Sequence, residues 1–180
     1  MKILKKKGKY NTMNFGGIIK NDTANGEGIR TSLFVSGCNI KCPGCHNKEL
    51  QDFNYGREFT DEDLDKLLES VNDEYHAGIS ILGGEPLDPN NSPTVAKIVS
   101  KFREKYGWSK SIWVYTGYTY EYLLNDERVS VSCILKNIDT LVDGPFIEKE
   151  RDVSLPFRGS ANQEIIHPNI DVASLYPLGE

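Results

Sequence analysis

Short apolar runs alternate along this chain with stretches that have the period of an amphipathic helix, and the two patterns predict different elements. The apolar runs predict buried strands, which we place at residues 31–35, 78–82, 111–115 and 164–166. Two further apolar runs, at residues 129–135 and 138–142, predict at least one more strand.

Two longer stretches between these strands have a helical period. The first follows Thr60, and Asp63 completes a capping-box start. The second has Ser92 as its expected N-cap and Pro93 at the first helical position. Apolar residues in both recur at i, i+3, i+4 and i+7, namely Leu64, Leu67, Leu68 and Val71, then Val95, Ile98, Val99 and Phe102. A short third helix is expected near residues 120–125.

Strands separated by helices predict βαβ units, and hence an α/β fold with a mainly parallel sheet. The carboxyl ends of parallel strands meet at one edge of the sheet, where ligands usually bind. Four segments directly follow predicted strands: the loop from Cys38 to Cys45, GGEP at 83–86, YTGY at 115–118 and VDGP at 142–145. We therefore expect these four segments to form one site.

The composition excludes several classes of protein. A chain of 180 residues with 38% hydrophobic and 26% charged residues predicts one globular domain, over residues 13–180. A net charge of −5 argues against a nucleic-acid-binding protein, and no apolar run suits a membrane span or a secretion signal. We expect a cytoplasmic location. Residues 1–12 predict a flexible basic extension, with Met13 as a possible natural start.

Three of the four cysteines lie within eight residues, with the spacing C-x3-C-x2-C at Cys38, Cys42 and Cys45. In a cytosolic protein such a cluster predicts metal binding, and three thiolates leave one position free for a ligand that is not protein. Cys133 lies in an apolar run and is expected to be a buried core thiol. His46 makes a Cys3His zinc site a formal alternative, although zinc sites usually combine two separated pairs. The spacing favours an iron–sulfur centre and leaves zinc open.

The cysteine spacing, joined to GGEP after the next predicted strand, resembles the radical S-adenosylmethionine superfamily. The stretch NGEGIRTSLFVSGCNIKCPGCHN is similar to the activating enzymes of glycyl-radical proteins, and among them to the branch that acts on anaerobic ribonucleoside-triphosphate reductase. The resemblance implies an incomplete (β/α) barrel and one [4Fe–4S] cluster whose free iron binds S-adenosylmethionine. Reductive cleavage of this cofactor would give a 5′-deoxyadenosyl radical that takes hydrogen from a glycine.

The same resemblance implies partners. The protein substrate would be the large subunit of anaerobic ribonucleoside-triphosphate reductase, and the electron would come from an external donor such as a flavodoxin. Two alternatives stay open: an activase of another glycyl-radical enzyme, of the formate-lyase type, and a structural zinc module.

The resemblance also implies roles for single residues. Gly44 stands where the superfamily often has an aromatic residue, so His46 is expected beside the cofactor. Gly83 and Gly84 would let the main chain approach it, and Glu85 would accept from its ammonium group. Asp143 would bind ribose hydroxyls or the ammonium group of the cofactor. Arg30 would either orient the cofactor carboxylate or form an ion pair at the surface, and Tyr115 would either orient the cofactor or pack in the core. Residues 158–163 would help to shape the surface that meets the cofactor or the partner.

Overall fold

The computed structural model describes residues 12–169, and within them one mixed sheet carries the fold. Its strands are β1 (Asn14–Asp22), β2 (Ile29–Val35), β3 (Arg57–Glu58), β4 (His76–Gly83), β5 (Ser111–Tyr115), β6 (Thr140–Val142) and β7 (Ile165–Ile166). The helices are α1 (Asp61–Glu69), α2 (Ser92–Tyr106), α3 (Tyr120–Leu124) and α4 (Val129–Asn137). The strand order across the sheet is β3-β1-β2-β4-β5-β6-β7.

The centre of the sheet is parallel and its two edges are antiparallel. Strands β2, β4, β5 and β6 pair in parallel, whereas β1 runs antiparallel to both β2 and β3, and β7 runs antiparallel to β6. The prediction of an α/β fold with a mainly parallel sheet is confirmed for this centre. The pattern missed β1 and β3, which make the sheet mixed.

The two faces of the sheet differ in polarity, because side chains alternate along each strand. One row across the parallel strands is apolar, and it packs with α1, α2 and α4 in a single core: Leu33, Ile81, Val114 and Leu141. The neighbouring row points to the opposite face and consists of Ser32, Ser80, Trp113 and Thr140. On that face the segment 144–163 reaches back over the sheet, and Phe157 contacts Trp113 edge to face at 5.3 Å.

The helix ends follow local side-chain chemistry. Thr60 caps α1, and its capping box with Asp63 is formed in both directions, as predicted. Helix α2 begins one residue earlier than predicted, since Asn91 and not Ser92 is its N-cap. Pro93 lies in the first turn, where its missing N–H is not needed.

The prediction of at least one more strand in the runs 129–135 and 138–142 is confirmed, but only the second run contains it. The first run forms α4, in which Val131, Ile134 and Leu135 are buried at helical spacing while Val129 is exposed. The sequence is apolar at both periods, and packing against α2 selects the helical one. The additional strand is β6, at the end of the run 138–142.

Residues 1–11 and 170–180 lie outside the described part of the chain, and so does nearly all of the predicted extension over residues 1–12. Met13 is buried in the core, and its carbonyl accepts from the N–H of Phe59. Between residues 12 and 169, none of the helices has the length and apolar character needed to cross a bilayer.

Candidate metal centre

A cavity of about 420 Å³ lies at the carboxyl edge of the parallel strands. The loops after β2, β4, β5 and β6 all contribute to its wall, which confirms that the four segments form one site. The three clustered cysteines are among the lining residues, together with Gly44, His46, Gly83, Gly84, Glu85, Tyr115 and parts of the segment 144–163. All three are free thiols with intermediate exposure.

Main-chain geometry holds the cysteine loop in place. The N–H groups of Gly37 and Cys38 donate to the carbonyls of Leu50 and Gln51, at 2.8 and 3.1 Å. These carbonyls belong to a short 3-10 helix, Lys48–Gln51. Gly44 has a φ of 72°, a conformation that costs glycine little, and this lets the loop turn between the second and third cysteines.

The two glycines after β4 pack against the cysteine loop. The N–H of Gly84 donates to the Val35 carbonyl and that of Glu85 to the Gly37 carbonyl, both at 2.8 Å. A Cβ atom on Gly84 would lie 2.6 Å from the Gly37 oxygen, which is far too close. The need for glycine here therefore comes first from contact between main chains, a contact that the sequence did not reveal. The same turn still lines the cavity.

Asn91 ties the same two loops together. Its buried amide nitrogen lies 3.0 Å from the carbonyl oxygen of Ser36, 3.2 Å from that of Gly37 and 2.9 Å from that of Glu85. A second link joins Asn39, inside the cysteine loop, to the buried carboxylate of Asp88 at 2.8 Å. These contacts fix the cysteine loop relative to the end of β4.

Glu85 is the most buried acid of the cavity wall, with 1% of its surface exposed. One carboxylate oxygen accepts from the Leu87 N–H and the Thr116 hydroxyl, and the other accepts from the Gly117 N–H, each at 2.8 Å. Burial raises the pKa of Glu85 to about 7, although these three hydrogen bonds act in the opposite direction. No ion pair involves Glu85 among residues 12–169.

The thiols lie in a partly desolvated environment. Burial raises the pKa of both Cys38 and Cys42. Main-chain N–H groups of Ile40 and Lys41 at Cys38, and of Phe146 at Cys42, act in the opposite direction by favouring the thiolate. Phe146 belongs to the segment after β6, so the cysteine loop is held from both sides of the cavity.

The geometry gives no support to a zinc site. In the part of the chain that the structure describes, no three His, Cys, Asp or Glu side chains converge on one metal ion. Zinc requires such convergence, with ligands at about 2.0–2.3 Å from the metal. Cys133 lies on α4, where its Sγ is 3.4 Å from the Ser100 hydroxyl, and it does not line the cavity. It is half-buried, so the prediction of a buried core thiol is wrong in that respect.

Arg30 occupies the polar face of the sheet, with 1% of its surface exposed. Its Nε donates to Ser80 and its two terminal nitrogens donate to Ser111 and to main-chain carbonyls, including that of Ile79 at 2.7 Å. All five N–H groups of the guanidinium are thereby used. Neither predicted role of Arg30 fits: it is not at the surface, and no donor remains for a cofactor carboxylate.

Asp143 is buried at the end of β6 but does not line the cavity. Its two carboxylate oxygens accept from the N–H groups of Tyr120 and Glu164, at 2.7 and 3.1 Å. These bonds hold the loop after β5 and the start of β7 against β6. The structure thus gives Asp143 a role in joining loops, and its predicted contact with the cofactor stays a prediction.

Two buried polar atoms of the cavity wall have no hydrogen-bond partner within residues 12–169. They are the hydroxyl of Tyr115 and the Nε of Arg158. Burial raises the pKa of the Tyr115 hydroxyl, which keeps it protonated and able to donate. The sequence analysis predicted no individual role for Arg158. The signal that could have identified it is a positive charge within the Gly- and Asn-rich segment that follows the last parallel strand.

Three thiols that line one cavity are the ligand set of a protein that binds an iron–sulfur cluster. In agreement, the family described as "4Fe-4S single cluster domain" matches residues 24–166. The activating protein of anaerobic ribonucleoside-triphosphate reductase from Escherichia coli K12 is 40% identical over 157 residues, which cover 86% of this chain and 99% of that protein.

Proteins of the same name from Vibrio cholerae and phage T4 are 38% and 34% identical, over 86% and 85% of this chain and 97% and 93% of their own lengths. The chain therefore belongs to the family of anaerobic ribonucleoside-triphosphate reductase-activating proteins, which overturns the alternative of a structural zinc module.

Proposed function

We propose that this protein activates anaerobic ribonucleoside-triphosphate reductase by generating a glycyl radical on its large subunit. The observation that carries the proposal is one cavity that joins three cysteine thiols to the buried carboxylate of Glu85, which has no cationic partner among residues 12–169. The names of the relatives support this reductase as the partner over other glycyl-radical enzymes. We expect the reaction to take place in the cytoplasm, where thiols stay reduced.

The cysteine loop suits a [4Fe–4S] cluster held by Cys38, Cys42 and Cys45. The N–H groups of Ile40, Lys41 and Phe146 favour the thiolate forms that iron requires. A cluster held by these three cysteines would supply the one-electron chemistry for reductive cleavage of S-adenosylmethionine. The remaining residues then bind, orient and shield the reacting groups.

The cavity wall also suits S-adenosylmethionine. Glu85 offers an anionic partner to the amino group, and Arg158 offers an unused Nε–H to the carboxylate. Neither Glu85 nor Arg158 forms an ion pair within the described part of the chain, and one ligand offers each of them an opposite charge. The Tyr115 hydroxyl can donate to a third polar group, while Gly44 and His46 would lie beside the adenine. A volume of about 420 Å³ lies within the usual range of small-molecule sites.

The finer architecture that we propose is the incomplete (β/α) barrel. Three features support this architecture: helices pack on one face of the sheet, four loops line the cavity at one edge, and the segment 144–163 covers the polar face. A barrel of this kind leaves a side accessible to a protein segment that carries the substrate glycine. The electron would come from an external donor such as a flavodoxin, because the sequence carries no flavin or nicotinamide motif.

The test is anaerobic reconstitution with iron and sulfide, followed by reaction with S-adenosylmethionine, dithionite and the purified large subunit of the reductase. We expect 5′-deoxyadenosine and a glycyl-radical doublet in the electron paramagnetic resonance spectrum of the large subunit. A reconstituted protein that binds iron but never cleaves S-adenosylmethionine would refute the reaction. Cleavage without a doublet would refute the reductase as the partner.

A further inference from the structure

A groove of about 510 Å³ lies beside the cavity on the outer part of the sheet. Residues 16–19 of β1 line one side of it, and residues 46–50 with Tyr55 line the other. His46 and Asn47 line both the groove and the cavity, so the two spaces adjoin. We call this feature the edge groove.

Strand β1 has a free edge next to the edge groove. Its inner side pairs with β2 along most of its length, whereas β3 covers its outer side only at Asn14 and Phe15. Within the described residues, no strand pairs with the outer side from Gly17 to Asn21. An unpaired strand edge is a template on which an extended chain can add by main-chain hydrogen bonds.

The free edge of β1 begins close to the cavity, because the N-terminal end of β1 lies beside the end of β2. Because β1 is antiparallel to β2, Gly17 lies opposite Phe34, close to where β2 runs into the cysteine loop. A Cβ atom on Gly17 would meet nothing within 4 Å, so there is open space directly above this residue. Ile19 and Tyr55 flank the groove with 51% and 39% of their surfaces exposed and offer apolar contacts to a docked segment.

We propose that the edge groove binds the segment of the partner protein that carries the reactive glycine. The segment adds to the free edge of β1 as an extended strand and passes His46 and Asn47 into the cavity. This inference rests on the proposed function, in which a protein glycine must reach a cavity lined by cysteines. A second copy of this chain seated in the groove would instead close this side of the cavity to its substrate.

Two substitutions fill or charge the groove without disturbing the core. Gly17→Leu places a side chain in the open space, and Ile19→Lys puts a charge at an exposed apolar position. Tyr75→Lys is the matched control, because Tyr75 is 73% exposed and lies just before β4, at the opposite end of the strands. Each variant is reconstituted and titrated with the purified large subunit of the reductase.

We expect both groove variants to raise the concentration of large subunit needed for half-maximal glycyl-radical formation roughly tenfold or more. Iron content and cleavage of S-adenosylmethionine without the large subunit should match wild type. Hydrogen exchange should slow at the amides of residues 17–21 of the wild-type protein when the large subunit is added. Tyr75→Lys should behave as wild type throughout.

Other outcomes separate the two proposals. Wild-type protein that makes no glycyl radical at all would refute the proposed function, and the docking inference with it. Wild-type radical formation with unchanged behaviour of both groove variants and no slowed exchange at residues 17–21 would refute only the docking inference. A change in the sedimentation of Gly17→Leu without the large subunit would assign the edge groove to contact between copies of this chain, which also overturns the inference.

Discussion

Replacing Glu85 with glutamine tests the electrostatics of the cavity wall. Glu85 is almost fully buried, and burial raises its pKa from 4.5 to about 7. Well below pH 4.5 the carboxyl group is protonated in both the folded and unfolded chains, so its burial as a charge does not lower the free energy of unfolding. As the pH rises from 4.5 to 7, the unfolded chain ionises first, so the folded state loses stability. Above pH 7 the full cost is present.

The size of the effect follows from the shift. At 1.36 kcal/mol per pKa unit, a rise from 4.5 to about 7 corresponds to a total cost of about 3 kcal/mol. Part of it is already present at pH 5, so the expected change between pH 5 and pH 8 is about 2–3 kcal/mol. Glutamine does not ionise. Its amide nitrogen cannot accept from Gly117, which adds a loss of about 1–3 kcal/mol at every pH.

The assay is urea unfolding of cluster-free protein under reducing conditions, followed by circular dichroism at pH 5, 6, 7 and 8 for wild type and Glu85→Gln. The hydrogen-bond loss is the same at each pH, so it cancels when the difference between the two proteins is compared across pH. We expect wild type to lose about 2–3 kcal/mol relative to the variant between pH 5 and pH 8. Parallel pH curves, or a relative gain for wild type at pH 8, would refute the reasoning.

Alanine at any one of Cys38, Cys42 or Cys45 should abolish S-adenosylmethionine cleavage, because each supplies a cluster ligand; product analysis after reconstitution checks this. Cys133→Ala is the control and should keep the cluster, with a loss of about 1 kcal/mol in the free energy of unfolding. Loss of iron in that variant would contradict the ligand assignment. Arg30→Lys should lower the free energy of unfolding by about 3 kcal/mol, because lysine has three donors where the arginine now makes five hydrogen bonds. A urea midpoint close to that of wild type would contradict this prediction. Arg158→Gln should weaken S-adenosylmethionine binding about tenfold with unchanged iron content, as measured by calorimetry on reconstituted protein, and unchanged affinity would remove Arg158 from the proposed carboxylate site.

The site depends on a sheet with one apolar face and one polar face. The apolar face packs under three helices and holds the parallel strands in register, so that the four loops end at one edge. The polar face carries Arg30, Ser80 and Tyr115, and these side chains need partners that an apolar core would not supply. The segment 144–163 supplies part of that cover and also reaches the cysteine loop through Phe146.

The strength of each local pattern decided how well the elements were predicted. Strand β5 was predicted at its observed bounds, since four consecutive residues from Ile112 to Tyr115 carry strand-forming side chains directly after a polar stretch. Strand β1 was missed, because Gly16 and Gly17 interrupt its pattern and its pairing partners come from elsewhere in the chain. Residues 129–135 fit both periods, and only contact with α2 distinguishes them.

The sequence by itself determined the chemistry of the centre: three thiols in one short loop after a parallel strand, with a glycine-rich acidic turn after the next strand. The spacing of residues along the chain is local information, so it can be read without knowledge of the fold. Only the tertiary structure decided which polar groups remain available. All five donors of Arg30 and both carboxylate oxygens of Asp143 form contacts within the protein. Among residues 12–169, by contrast, the Nε of Arg158 and the hydroxyl of Tyr115 have no hydrogen-bond partner at the cavity. Hydrogen-bond partners come from strands and loops far apart in sequence, so availability depends on which of them meet in the folded chain.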